Sequence, residues 1–106
     1  MEGTTRLNRL LTMLESEPGD AFLTYALALE YLKTGDEQMS LELLLWLKQN
    51  EPSYVATYYQ LGKLYEARAK IEDAKYTFSL GIDVAKRLKD FKTKSELEEA
   101  LWLLED

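Results

Sequence analysis

Side chains able to do acid–base, nucleophilic or metal chemistry are few in this sequence, and none stands in a spacing that such chemistry needs. There is no cysteine and no histidine among the 106 residues, which removes disulfides, thiolate nucleophiles, imidazole ligands and histidine acid–base catalysis. Glu66, Glu72 and Asp73 fall close together in the chain, and Lys63 lies one helical turn before Glu66. An i, i+3 pair of opposite charge is the ordinary solvated link of a helix surface and not an acid–base pair. No glycine-rich phosphate loop, no serine beside a base and no metal-ligand spacing occurs. The residues predict a protein without catalytic activity, cofactor or metal.

Charge narrows the partners. A formal net charge of −6 opposes attraction to nucleic acid or to an anionic membrane surface, so neither is expected. The basic residues Lys86, Arg87, Lys89, Lys92 and Lys94 around Asp90 read as a solvated helix end and loop, where cations suit the helix C-terminus. The residues Met1 to Arg6 show no basic stretch followed by an apolar run, and no stretch of about 18 apolar residues exists. The expected location is cytoplasmic.

The elements that must position any site follow from a repeat. Glu17-Pro18 returns as Glu51-Pro52, 34 residues on, and at the same offset Tyr25, Leu27 and Tyr31 return as Tyr59, Leu61 and Tyr65. Self-similarity at this length marks a helical hairpin that stacks on copies of itself to bury its apolar face. Leu7, Leu10, Leu11 and Leu14 form the stripe of a leading helix over 5–17, closed by Pro18-Gly19. Asp20 caps the next helix, with Leu23, Leu27, Ala28 and Tyr31 inward, and Gly35-Asp36 turns the chain into a partner helix to Asn50. The second copy repeats the plan. Ser53 is expected to cap a helix from Tyr54, and a further helix from about Ile71 carries Ala74, Phe78, Gly81, Ile82 and Ala85. Gly81 inside a helix costs about 1 kcal/mol against alanine, which predicts a close helix contact there. Capping boxes at Thr93/Glu96 and Ser95/Glu98 predict a last helix over 93–105, with Leu97, Leu101 and Leu104 inward and Glu98, Glu99 and Glu105 outward.

These residues give the chain a resemblance to the tetratricopeptide repeat family. The second copy, Tyr58, Leu61, Gly62, Tyr65, Ala74, Phe78 and Gly81, is close to that family's pattern. The first copy, Thr24, Leu27, Ala28, Tyr31, Ser40, Leu44, Leu47 and Pro52, keeps the sizes with two signature residues lost. The chain departs at Arg6, where a small residue is usual, at Ala69, where a turn glycine is usual, and near Lys86, where no proline closes the last helix, which should run on by a turn. The resemblance implies an all-α fold, a right-handed α–α superhelix of helical hairpins with a C-terminal capping helix, within one domain of residues 1–106. Its parts would be the leading helix, repeat one over 20–52, repeat two over 53–88 and the capping helix.

The resemblance also implies that the first helices of the repeats line a concave groove. The groove positions fall on Phe22, Tyr25, Ala26, Leu29, Leu32 and Lys33, and on Ala56, Tyr59, Gln60, Lys63, Glu66 and Ala67. Helical spacing alone puts these residues opposite or beside Leu27–Tyr31 and Leu61–Tyr65. Phe22, Tyr25, Leu29 and Leu32 are apolar where solvent would favour polar groups, so a protein or peptide partner is expected at Phe22, Tyr25, Leu29, Leu32, Tyr59, Gln60, Lys63 and Glu66, unless flanking helices cover them. The family's carboxylate clamp is not expected, because Tyr25 and Leu29 stand at its lysine and asparagine positions. The run Leu43-Leu44-Leu45-Trp46-Leu47 puts Leu45 and Trp46 on an outer side, which leaves a second expectation, a self-associating homodimeric subunit.

Overall fold

The computed structural model describes the backbone of residues 2–105 and the side chains of residues 5–105. Among them the chain is all-helical: α1 (Glu2–Ser16), α2 (Ala21–Thr34), α3 (Glu37–Asn50), α4 (Ala56–Ala67), α5 (Ile71–Leu88) and α6 (Phe91–Leu104). Packing divides it into two compact units, Met1–Glu51 with α1 to α3 and Pro52–Asp106 with α4 to α6.

In the first unit α2 packs on both α1 and α3. Leu10, Leu23 and Leu27 form a buried cluster, with Leu7, Leu14, Ala26, Tyr31 and Leu43 against it. Leu44 and Leu47 are fully buried on α3. Leu11, read as part of the leading stripe, is instead exposed, since a wide stripe turns its edge residues toward solvent. Asp20 caps α2 through Oδ1, which accepts from the Leu23 N–H at 2.8 Å, and Asp36 caps α3 by accepting from the Met39 N–H at 3.1 Å.

In the second unit α5 lies against α4 and α6. Phe78, Ala74 and Leu97 are fully buried with Tyr58, Val84 and Ala100 around them. Two glycines permit the approach. A Cβ on Gly62 would stand inside the Phe78 ring, and one on Gly81 would lie 2.5 Å from Tyr58 Cβ, an atom that no rotamer change can move aside. The Tyr58 hydroxyl donates to the Pro52 carbonyl at 2.7 Å, and burial raises its pKa against the opposing pull of Arg87, so it stays protonated to donate.

Three helices end alike. Gly35, Ala69 and Lys89 adopt left-handed φ values of 91°, 61° and 59°, and the N–H groups of Asp36, Lys70 and Asp90 reach back to Tyr31, Tyr65 and Ala85. Ala69 therefore holds the conformation of the turn glycine it replaces, at a steric cost glycine avoids. As expected without a closing proline, α5 runs to 18 residues where α3 has 14.

Two helix starts differ from the sequence reading. Ser53 does not cap α4: the carbonyls of Tyr54 and Val55 accept from Thr57 and Tyr58, closing the first turn with backbone, and the helix begins at Ala56. The last helix begins at Phe91 and not near Thr93, because Asp90 is its cap, accepting from the Thr93 N–H at 3.1 Å and the Thr93 hydroxyl at 2.8 Å. Those two bonds, with Lys92 assisting against a small desolvation, hold the Asp90 carboxyl below its ordinary pKa of 3.8. A depressed folded value means that the cap is intact above the unfolded pKa and is lost as pH falls through the folded one. In an NMR titration the Thr93 amide should move with a midpoint below 3.8, and a midpoint at or above that value would contradict the cap.

Candidate functional site

On α2 the residues Phe22, Tyr25, Ala26, Leu29 and Lys33 follow one another along one face. Phe22 is 66% exposed, Tyr25, Ala26, Leu29 and Leu32 are half-buried, and Lys33 reaches solvent. With Arg6 from α1 and Glu30, this face lines a cleft of about 370 Å³. Leu32 does not line it. Glu30 is 97% buried in spite of its charge: Oε1 pairs with Arg6 Nε at 3.1 Å, and Oε2 is buried and accepts no hydrogen bond.

On α4 the equivalent face is more polar and more closely flanked. The Tyr59 ring is tilted 45° against Phe78 with centroids 6.3 Å apart, so it is partly a core contact. It shares a second cleft, of about 360 Å³, with Ser95, Glu96 and Glu99 of α6. Gln60 is half-buried, and Lys63 pairs with Glu66 at 3.2 Å, the surface link the spacing predicts. Glu72 pairs with Lys75 of its own helix at 3.6 Å, a solvated i, i+3 link. Among the described residues, no group of three or more His, Cys, Asp or Glu side chains could hold a metal, and no helix is long and apolar enough to cross a membrane.

Comparison with known proteins connects this hairpin geometry to a family. The solution structure of a tetratricopeptide repeat domain protein from Salinibacter ruber is 43% identical, covers 83% of this chain and 89% of its own, and superposes with a TM-score of 0.80. A crystal structure of a tetratricopeptide repeat domain protein from the same organism is 42% identical over 80% of this chain and 94% of its own, with a TM-score of 0.78. The chain belongs to the tetratricopeptide repeat family. No family profile and no curated protein matches it.

Within this tetratricopeptide repeat chain, Glu30 is the residue that sequence reasoning missed, and the repeat held the signal. The position 34 residues on is Leu64, a buried leucine, so Glu30 puts a carboxylate where the chain's own second copy carries an apolar side chain. Its partner Arg6 had stood out only as too large for its position. Removing a buried charge in favour of leucine is commonly neutral or stabilising, and Arg6, two-thirds exposed, returns to water at little cost. Glu30→Leu should therefore keep or raise the unfolding free energy, by about 1 kcal/mol at most, whereas Arg6→Leu strands the carboxylate and should lose about 1–3 kcal/mol. Denaturant titration checks both signs, and a Glu30→Leu variant less stable than wild type by over about 1 kcal/mol contradicts the account.

Other apolar surface lies outside these faces. Leu45 and Trp46 are adjacent on α3 and each 38% exposed. On α6, Trp102 and Leu103 are more exposed still, beside Glu98 and Glu99, so the outer face of the last helix is not the uniformly acidic one its pattern suggested.

Proposed function

We propose that this tetratricopeptide repeat protein is a non-catalytic binding module, and that the apolar faces of α2 and α4 take a peptide or helix of a partner protein. The observation carrying the reading is the stripe Phe22-Tyr25-Leu29, headed by a phenylalanine two-thirds exposed, on a helix face where solvent favours polar side chains. Aromatic rings give a large contact area for few rotatable bonds, which suits an anchor point. Leu32 at the edge of the α2 face, and Tyr59, Gln60, Lys63 and Glu66 on α4, complete the proposed contact set. The partner contributes apolar side chains. A bare C-terminal carboxylate would find neither the lysine nor the asparagine of the family's clamp, since Tyr25 and Leu29 occupy those positions.

A self-associating subunit is the second reading, favoured by the adjacent and part-exposed Leu45 and Trp46. One experiment separates the two. A photo-reactive phenylalanine placed in turn at Phe22, Trp46 and Tyr76 should crosslink a heterologous protein in cell lysate from Phe22 and none from Tyr76 on α5. Crosslinking from Trp46 to a second copy, with nothing from Phe22, would replace the binding reading with self-association.

A further inference from the structure

We propose that the cleft beside α2 receives a tryptophan side chain of the partner segment, its indole N–H donating to Oε2 of Glu30. The inference rests on the binding reading above and names the chemistry of one anchor within it. Three observations fix that chemistry. The first is the buried Glu30 carboxylate, whose Oε2 has no donor and whose position carries a leucine in the second repeat, so the fold itself does not call for an acceptor there. A buried unpaired carboxylate oxygen is destabilising, and a donor supplied from outside the chain would relieve that cost.

The second observation is charge. Arg6 and Lys33 also line the cleft, giving it two cations against one carboxylate. An incoming lysine or arginine would meet both, and would compete with Arg6 for the same carboxylate. A neutral N–H or O–H donor avoids the repulsion from both cations. The third is shape and polarity. Phe22, Tyr25, Ala26 and Leu29 supply an apolar wall, and about 370 Å³ is at the small end of ligand-sized clefts, enough for one ring system. A large flat ring carrying a single neutral donor satisfies all three, and tryptophan is the amino acid that combines them with no acceptor to strand. Oε2 is itself buried, so the donor reaches it only with a shift of the side chains over it, and the two-thirds exposed Arg6 side chain beside it can move.

The test uses wild-type protein and two small probes, N-acetyl-tryptophanamide and its benzothienyl isostere, in which sulfur replaces the indole N–H. Binding is read by NMR shifts of backbone amides. Both probes should move the amides of Phe22, Tyr25 and Leu29, with the indole bound about tenfold more tightly, the ratio a hydrogen bond to a charged acceptor supports. Glu30→Leu should bring that ratio to about one. Equal affinity of the two probes for wild-type protein overturns the inference, as does tighter binding of N-acetyl-argininamide or of free zwitterionic tryptophan, or shifts confined to residues outside α1 and α2. The binding reading is judged separately by crosslinking from Phe22. Equal probe affinities with that crosslink retained remove the tryptophan anchor alone, and loss of the crosslink removes the binding reading itself.

Discussion

Phe78→Ala is expected to lower the thermal unfolding midpoint by roughly 15 to 30 °C. The ring is fully buried among Tyr58, Ala74, Val84, Leu97 and Ala100. Removing such a side chain costs about 3–5 kcal/mol where the surroundings cannot collapse. A chain of this size shifts by about 4–8 °C per kcal/mol. Collapse is opposed here because Gly62 presents only a hydrogen toward the ring, so α4 has no side chain at that position to fill the space. Phe22→Ala is the internal control. The same chemical change at a ring two-thirds exposed should move stability by no more than about 0.5 kcal/mol. If circular dichroism melting showed the two variants equally destabilised, the assignment of one ring to the core and the other to a contact face would be wrong.

That contrast also marks what was legible in the sequence. The 34-residue return of Tyr, Leu and Tyr was enough to place the hairpins, because an apolar face buried in every copy must recur at the same register. The close contact at Gly81 was legible for the same reason: a helix accepts glycine's cost only where a neighbour needs the space. Helix starts were less so. Ser53 has the right residue type for a cap, yet the turn closed through the carbonyls of Tyr54 and Val55, and Asp90 outcompeted Thr93 because a carboxylate can take both the backbone and the hydroxyl proton of that threonine. Residue type proposes a cap, and competition among neighbouring acceptors decides it.

The candidate site was legible as a face and not as a chemistry. Phe22, Tyr25 and Leu29 announce an apolar stripe by spacing alone. Glu30 did not register, although it is the one acidic residue of α2, because the periodicity of that helix is carried by its apolar residues. Only its burial and its Arg6 partner show it to be out of character, although comparison with Leu64 within the same sequence carries the hint. Tyr59 was read as the counterpart of Tyr25, and its ring contact with Phe78 makes it only partly available to a partner. The exposure of Trp102 and Leu103 was hidden by the acidic residues around them, which dominate the pattern of the last helix.

Loss of partner binding is the other large effect expected. Aromatic anchors that fill a partner's surface are worth about 2 kcal/mol or more each when truncated, so the double variant Phe22→Glu, Tyr59→Ala should weaken binding by about a hundredfold or more. Glutamate at position 22 adds a desolvation cost to the lost ring. Tyr59→Ala also forfeits a ring contact with Phe78 worth about 1 kcal/mol, so the thermal midpoint should fall by several degrees with the helical signal retained. The most direct measurement is calorimetric titration of the protein crosslinked from Phe22, once identified and purified, into wild type and double variant, both shown folded. A dissociation constant weakened by about a hundredfold or more is the predicted result, and one that stays within about threefold of wild type would contradict binding through these faces.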